Sequence, residues 1–508
     1  MRIILIIFAL CCLMSTEFVL GKEPILMSEN RPNIIYILAD DMGYGDVSIY
    51  NPESKIPTPN LDALAVAGMR FTDAHSPASV CTPTRYGIMT GEYAWRSKRL
   101  KSSVLRGYGH AMIETGRTTV ASLLNNIGYQ TGIVGKWHLG LNWKIKPKFK
   151  SQFVDLLPDK SGHMVVRDTD PSWIDFSQAP VGGPRDLGFD YSYILPASLD
   201  MPPYAYLEND KLIENPSQWI EGHDTDTGYT KAFWRAGHKA PSFVFDDVLP
   251  TFTQKAVDFI SEKSTAQAPY FLYVPFAGPH TPWLPTDNFK GKSQAGMYGD
   301  FVNMVDDAIG QVLAAVVASG EAENTLIVFT SDNGPFWQPR HSKKFNHNAV
   351  GIYRGMKADT YEGGHRMPFI VSWPNKIKAN SVSEHLTVQT NLMATLADII
   401  DVSIPSGVGK DSVSILPTLL GKDAKQVREL VVHQSSKNMM AIRAGDWKLI
   451  LGLGSGGFTP PRFAKQIKGG PAGQLFNLAE DPSETSNVYL KYPKIVSRLK
   501  ETLKRKMQ

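Results

Sequence analysis

Asn33-Ile34-Ile35-Tyr36-Ile37-Leu38-Ala39-Asp40-Asp41 is an uninterrupted apolar run that ends on two carboxylates. A run of this kind, with no alternation of polar residues, reads as a strand buried on both faces, as in parallel sheets covered by helices. Residues 130–134, 270–275, 325–330 and 368–372 have the same character. Between these runs lie segments of helical periodicity at 59–67, 118–127, 248–261 and 301–318. Strand and helix alternate, so an α/β fold is expected, with a large domain whose central sheet is mostly parallel and flanked by helices.

Residues 141–247 interrupt the alternation with Pro, Gly, Asp and aromatics, and are expected to form long ordered loops that shape a binding site. A helix at 391–400 and a linker-like stretch at 405–410 follow. Beyond these, residues 430–433, 439–443 and 447–451 read as short antiparallel strands and 492–507 as a basic amphipathic helix. The expected organisation is a catalytic domain over residues 22–420 and a small α+β C-terminal domain with an antiparallel sheet over 421–508.

With 508 residues, 43% hydrophobic and 20% charged, the chain is long and apolar enough for a large core, which excludes disordered, collagenous and disulfide-stapled classes. A net charge of +4, from 53 basic and 49 acidic residues, is too balanced to imply nucleic-acid binding. The N-terminus has Arg2, an apolar run over 3–14 and small polar residues to Gly21, the pattern of a secretory signal peptide over 1–21. That run is too short to span a bilayer, and no other hydrophobic stretch reads as a span. An exported, periplasmic or extracellular protein without stable membrane insertion is expected. Cleavage removes Cys11 and Cys12, leaving Cys81 alone of three cysteines. A single thiol in an oxidising compartment is either incidental or chemical.

Polar residues follow each strand: Asp40 and Asp41, Lys136 and His138, His280, Asp332 and Asn333. Ligands of open α/β sheets bind beyond the carboxyl ends of the strands, so these sets are expected to converge. Asp40, Asp41, Asp332 and Asn333 are hard oxygen donors suited to calcium or magnesium; either pair alone reads better as turn or capping residues, but two pairs at equivalent strand ends favour a metal. In Ser79-Val80-Cys81-Thr82-Pro83-Thr84-Arg85, Thr82 suits an N-cap and Pro83 a first helical position. Cys81 is then expected just before a helix N-terminus, where the dipole favours an anion and lowers a thiol pKa, with Arg85 reaching back from one turn on.

Cys81-Thr82-Pro83-Thr84-Arg85 followed by Gly87-Ile88-Met89-Thr90-Gly91 resembles the signature of type I, formylglycine-dependent sulfatases of the alkaline-phosphatase superfamily. Residues 33–45, Gly135-Lys136-Trp137-His138-Leu139-Gly140, Gly278-Pro279-His280-Thr281-Pro282, Ser331-Asp332-Asn333-Gly334, Arg354-Gly355-Met356-Lys357 through Glu362-Gly363-Gly364, and Gln474-Leu475-Phe476-Asn477-Leu478 are similar to the family's other blocks, in order. The ordered blocks look closest to the arylsulfatase and N-acetylgalactosamine-6-sulfatase-like branch.

The resemblance implies an exported sulfatase in which a formylglycine-generating enzyme converts Cys81 to formylglycine (3-oxoalanine). Its hydrated aldehyde is a geminal diol. One hydroxyl takes the sulfuryl group as the alcohol leaves, and the other, once deprotonated, expels sulfate and restores the aldehyde. Asp40, Asp41, Cys81, Asp332 and Asn333 would hold one divalent cation, normally Ca2+. Arg85 would stabilise the modified side chain, His138 deprotonate the hemiacetal, His280 assist the leaving oxygen, and Lys136 and Lys357 neutralise the sulfate.

Trp95, Trp143, Tyr204, Tyr206, Trp283 and Trp337 are candidate sugar-stacking residues or core, and His341 a candidate sugar contact. Arg96, Lys98, Arg99 and Lys101, with Lys144, Lys146, Lys148 and Lys150, either attract a polyanion or form solvated surface. Sulfated polysaccharides, algal ones such as ulvan or carrageenan or host glycans, are the expected substrates. A phosphonate monoester or phosphodiester hydrolase of the same superfamily and a non-catalytic glycan-binding relative are the alternatives.

Overall fold

The computed structural model describes residues 31–508 apart from 98, 100–105, 155, 159–163, 167, 267, 423 and 424. The expected signal peptide, with Cys11 and Cys12, and Lys98 and Lys101 lie outside the described residues. The opening run forms β1 (Asn33–Ala39), buried at every residue. In chain order come α1 (Pro59–Val66), β2 (Met69–Phe71), α2 (Cys81–Thr90), α3 (Val120–Asn125), β3 (Gln130–Lys136), β4 (Tyr191–Leu195), β5 (Leu207–Glu208) and β6 (Lys211–Leu212). They are followed by α4 (Val248–Lys263), β7 (Tyr270–Pro275), α5 (Gly296–Ala318), β8 (Thr325–Ser331), α6 (Pro339–Phe345), β9 (Phe369–Ser372), β10 (Ser381–Ser383) and α7 (Leu392–Ile399).

The ten strands form one sheet in the order β10-β2-β9-β8-β1-β7-β3-β4-β5-β6. Its centre, β8, β1, β7, β3 and β4, is parallel. β9 runs antiparallel to β8, and β5 and β6 close the other edge antiparallel. Ile34, Tyr36 and Leu38 pack in the core layer shared with α2, α3 and α7, whereas Ile35, Ile37 and Ala39 pack in the layer shared with α1, α4 and α5. Burial on both faces is why the run carries no polar alternation; each large apolar side chain so buried contributes roughly 1.5–3 kcal/mol.

Residues 141–247 are not loops throughout. They include β4, the fifth parallel strand, and two small antiparallel pairs, Gln218–Ile220 with Gly237–Lys239 and His223–Asp226 with Lys231–Trp234. Tyr-Ser-Tyr-Ile-Leu is too short and too mixed to stand out as a buried strand in the sequence. The reading that no later stretch has spanning length also needs correction, because α5 is long and apolar enough to cross a membrane. Here it is a core helix. Asp306 accepts the Asn60 and Leu61 backbone N–H groups at 3.1 and 2.9 Å, and Asp300 those of Gly291 and Ser293 at 2.8 Å each.

Near the C-terminus, β11 (Leu430–Gln434), β12 (Met440–Ala444), β13 (Trp447–Ile450) and β14 (Gln474–Asn477) form an antiparallel sheet. α8 (Pro493–Met507) covers it with Val496, Leu499 and Leu503. β14 coincides with the Gln474 to Asn477 motif and was not expected as a strand.

Where this sheet meets the large one, His75, His365 and His433 pack together, each no more than 1% exposed. The His365 and His433 rings stack at 3.6 Å and 9°. Lys448 Nζ lies 3.1 Å from His365 Nε2 and 2.9 Å from Glu362 Oε1, so an ammonium holds the place a metal cation would need. Burial pushes His365 and His433 well below the usual histidine range, helped by His433 and Lys448 at the first and by His75 and Lys448 at the second. They stay neutral in the fold and protonate once unfolded. A depressed folded pKa contributes stability that is present above the unfolded value, about 6.5, and lost as pH falls below it. Glu484, pushed up to about 7 by burial, titrates with the opposite sign. The histidine contribution is therefore read as a difference: the urea midpoint of His433→Phe should fall less steeply below about pH 6.5 than that of the parent. Equal slopes would contradict it.

Candidate active site

The carboxyl ends of the five parallel strands open on one side of the sheet and supply most of the site. Asp40 and Asp41 follow β1, Lys136 ends β3, Asp332 and Asn333 follow β8, and Ser198 and Asp200 follow β4. Cys81 arrives from α2 and Lys357 from the loop before β9. Two close approaches demand glycine. A Cβ on Gly135 would stand 2.0 Å from the Pro275 carbonyl oxygen, and one on Gly334 1.9 Å from that of Gly363. Asp41, His138 and Ala358 adopt left-handed backbone, at φ of 69°, 56° and 77°, conformations that cost non-glycine residues free energy and cluster at functional sites.

Cys81 is the first residue of α2 rather than the one before it; Val80 is the N-cap and makes no side-chain cap bond, and Thr82 and Pro83 lie inside the first turn. Cys81 Sγ lies 3.4 Å from Asp40 Oδ1 and 3.6 Å from Lys357 Nζ. The expected lowering of its pKa does not occur. Burial, followed by the Asp332 charge, pushes the thiol well above its ordinary value. The side chain is thus an inert thiol unless it is chemically altered.

Arg85, fully buried, donates from Nε and Nη2 to Asp332 Oδ2 at 3.1 and 2.9 Å and from Nη1 to the Lys136 carbonyl at 2.8 Å. Lys136 Nζ donates to Asp40 Oδ2 and, at 3.1 Å, to Ser198 Oγ. Lys357 Nζ donates to Asp41 Oδ2 at 2.7 Å. His280 Nδ1 meets the Thr281 carbonyl at 2.6 Å, while Nε2 faces Asp41 Oδ2 at 3.7 Å. His138 is two residues beyond Lys136, its backbone N–H on the Pro196 carbonyl at 3.2 Å. Burial pushes the His280 imidazole down, and Lys357 adds to that.

Single ligand atoms of Asp40, Asp41, Cys81 and His280 lie within 4.8 Å of one another. Two observations test whether the donor set fits a divalent cation. Asn333 Oδ1 is buried without a hydrogen-bond partner, although its Nδ2 donates to Asp41 Oδ1 at 2.6 Å. Burial, and then the neighbouring Asp40 charge, push the Asp332 carboxyl up to about 7 even with Arg85 in contact. Asp40 itself, despite burial, is held well below the usual carboxylate range by Lys136, His280, Arg85 and Lys357. An idle carbonyl lone pair and a carboxylate resisting ionisation beside another are what a hard cation with oxygen ligands would relieve, and the set fits one.

Ser198 and Asp200 were missed in the sequence because β4 was missed. The signal was Tyr191 to Leu195 between Asp190 and Pro196. Asp46 also escaped notice; it accepts the Gly43 N–H at 2.7 Å, Tyr298 OH at 2.5 Å and His347 Nε2 at 2.8 Å, bracing the turn that carries Asp41.

His341 is not a sugar contact, since it is 1% exposed, takes the Gln338 N–H at the start of α6 and packs on Trp283 and Trp337. Trp143, Tyr204, Trp283 and Trp337 are core residues, and Trp95 stacks on Tyr93 at 4.1 Å. Tyr206 packs among Tyr193, Phe243 and Phe252. Arg96 pairs with Asp411 at 2.6 Å. Lys144 and Lys146 are half-buried, and Lys148 and Lys150 are exposed surface.

The family model for sulfatases matches residues 32–402, and that for the C-terminal region of N-sulphoglucosamine sulphohydrolase matches residues 356–508. The chain is 34% identical over 511 residues to an N-acetylgalactosamine-6-O-sulfatase of Bacteroides thetaiotaomicron, covering 94% of this chain and 93% of that enzyme. It is 29% identical over 478 residues to human arylsulfatase A, covering 90% and 83%. A sulfatase structure solved in work on glycosaminoglycan metabolism by Bacteroides thetaiotaomicron superposes with a TM-score of 0.77 at 32% identity, covering 94% of this chain and 99% of that one.

Proposed function

The chain belongs to the sulfatase family and is a sulfuric ester hydrolase, and we propose that it desulfates sulfated glycans with residue 81, as formylglycine, for its nucleophile. The supporting observation is the placement of Cys81 Sγ between Asp40 Oδ1 and Lys357 Nζ, at 3.4 and 3.6 Å, at the first turn of a buried helix. Oxidation of Cys81 supplies a hydrated aldehyde, two hydroxyls on one carbon, one to receive the sulfuryl group and one from which sulfate is released. A calcium ion held by Asp40, Asp41, Asp332, Asn333 and residue 81 supplies Lewis-acid stabilisation of developing charge.

The remaining work falls to side chains already in place. Lys136 and Lys357 offer ammonium groups to the sulfate oxygens, and Arg85 holds the start of α2 against Asp332. With Nδ1–H donated to Thr281, His280 directs Nε2 into the site as the atom that carries the leaving group's proton. Asp41 and Asp200, 3.7 and 3.9 Å from the ring, favour the protonated form against burial and Lys357. His138 is the base that removes the second hydroxyl's proton.

Similarity to the N-acetylgalactosamine-6-O-sulfatase supports a 6-sulfated amino sugar as the reacting ring. Export after removal of residues 1–21, maturation by a formylglycine-generating enzyme, and division into 22–420 and 421–508 belong to the same reading.

Purified enzyme is expected to release sulfate from N-acetylgalactosamine 6-sulfate and from an aryl sulfate, and to prefer both to an aryl phosphate diester. Preference for the phosphorus ester would overturn the reading. Calcium removal should abolish turnover, and calcium restored at about 100 to 1,000 times its dissociation constant should raise unfolding stability by about 3–4 kcal/mol. A midpoint indifferent to calcium would refute the cation site.

A further inference from the structure

Two site side chains reach the surface slightly, Lys357 at 7% exposure and His280 at 6%, whereas Asp40, Asp41, Cys81, Arg85, Lys136, His138, Asp332 and Asn333 are 0–2% exposed. The mouth therefore lies between Lys357 and His280, and its two rims differ in how far their cations are paired. On the His280 side, the hairpin reaches in through the Lys231 carbonyl, which accepts from Thr281 and Trp283. In the hairpin formed by His223–Asp226 and Lys231–Trp234 and just after it, Lys231 pairs with Asp224 at 2.5 Å and Arg235 with Asp200; from α6, Arg340 pairs with Asp226, while Lys344 stands over the Tyr229 ring at 5.7 Å.

The Lys357 rim is built by the long loop between β13 and β14. Asp359 takes the Phe458 and Thr459 backbone N–H groups at 2.7 and 3.1 Å, and a Cβ on Gly457 would stand 2.2 Å from the Ala358 carbonyl oxygen. The loop is thus pinned to the residues that follow Lys357. Phe458, 36% exposed, meets half-buried Phe336 edge to face at 5.8 Å, and Phe336 is three residues past Asn333. Beyond Phe458 the chain turns back beside residues 453–456, the Pro461 and Arg462 carbonyls accepting the Ser455 and Gly456 N–H groups at 3.0 and 2.8 Å and the Leu453 carbonyl that of Ala464 at 3.0 Å, and it exposes Arg462, Phe463, Lys465, Ile467 and Lys468. Between Asp446 and Glu480 there is no acidic residue, and among the described residues Arg462, Lys465 and Lys468 form no ion pair.

The geometry points to a second subsite on this rim, in which Phe458 and Phe336 take the apolar face of the sugar next to the reacting ring and Arg462, Lys465 and Lys468 take the anionic groups further along a sulfated or uronate-bearing chain. An aromatic face beside unpaired cations is the chemistry that recognises a polyanionic oligosaccharide and has nothing to offer a lone monosaccharide. This inference rests on the sulfated-glycan reading and deepens it. The C-terminal sheet, which carries the loop, becomes the part of the protein that selects for chain length.

The test compares N-acetylgalactosamine 6-sulfate with a glycosaminoglycan tetrasaccharide ending in the same sulfated residue. The parent should favour the tetrasaccharide in kcat/KM by about tenfold or more at low salt, the preference shrinking as salt rises. Phe458→Ala and the triple variant Arg462→Gln, Lys465→Gln, Lys468→Gln should each cut that preference severalfold. In Cys81→Ala protein, calorimetry should show the same ordering for tetrasaccharide binding, independently of turnover. A parent that treats both sugars alike, or a preference unmoved by both variants, overturns the subsite. Absence of turnover on both sugars, with an aryl sulfate still hydrolysed, counts against the sulfated-glycan reading instead.

Discussion

Cys81→Ala is expected to lower sulfate-ester turnover by about four orders of magnitude or more, since it removes the side chain whose oxidised, hydrated form takes the sulfuryl group. Stability should hardly follow. The thiol makes one contact to Asp40 Oδ1 and one to Lys357 Nζ, and its loss leaves a small gap costing on the order of 1 kcal/mol. Cys81→Ser separates the chemistry from the packing. A serine hydroxyl can accept a sulfuryl group once but has no second hydroxyl on the same carbon to expel it. The variant should accumulate one sulfated serine per chain and stop, as intact-mass analysis would show. Steady turnover by either variant would rule out residue 81 as the nucleophile. Peptide mass spectrometry across residue 81 of protein from its native host should find the aldehyde in place of the thiol.

The second large effect is expected at Arg85. Its guanidinium is fully buried, with two donors on Asp332 Oδ2 and one on the Lys136 carbonyl. Removing one partner of a buried ion pair leaves the other charge uncompensated, so Arg85→Ala should destabilise the protein by about 3–5 kcal/mol in urea unfolding and abolish activity with it. Arg85→Lys should recover little, because a single ammonium cannot span both acceptors with the planar fork's geometry. The burden should be lighter with calcium, which would itself compensate Asp332; the calcium-dependent rise in midpoint should thus be preserved or enlarged in the variant. A loss below about 1 kcal/mol would mean that the pair is not holding the start of α2 in place.

Much of this was legible in the chain because it follows from local rules. A run buried on both faces must be apolar throughout, which marked β1, β3, β7 and β8, and carboxylates and amides placed just after such runs must lie at one end of a parallel sheet. The short strand β4 escaped because Tyr and Ser alternate in it, and with it went Ser198 and Asp200. The sequence left the aromatics open between sugar stacking and core, and offered His341 as a sugar contact, for a different reason. A tryptophan has the same sequence appearance whether it faces a sugar or a core, and only packing shows that Trp283 and Trp337 lie against His341 in the interior.

By itself, the sequence determined the sheet's direction, the residues at its open end and the thiol at the head of a helix, because each depends on a few neighbouring residues. Only the tertiary structure decided the electrostatics. Cys81 stands in a dry site beside Asp40 and Asp332, 41 and 251 positions away along the chain, and their charges and its burial outweigh the helix end that should have acidified it. Desolvation and Coulomb interaction depend on distance in space, and no spacing along a chain reports that.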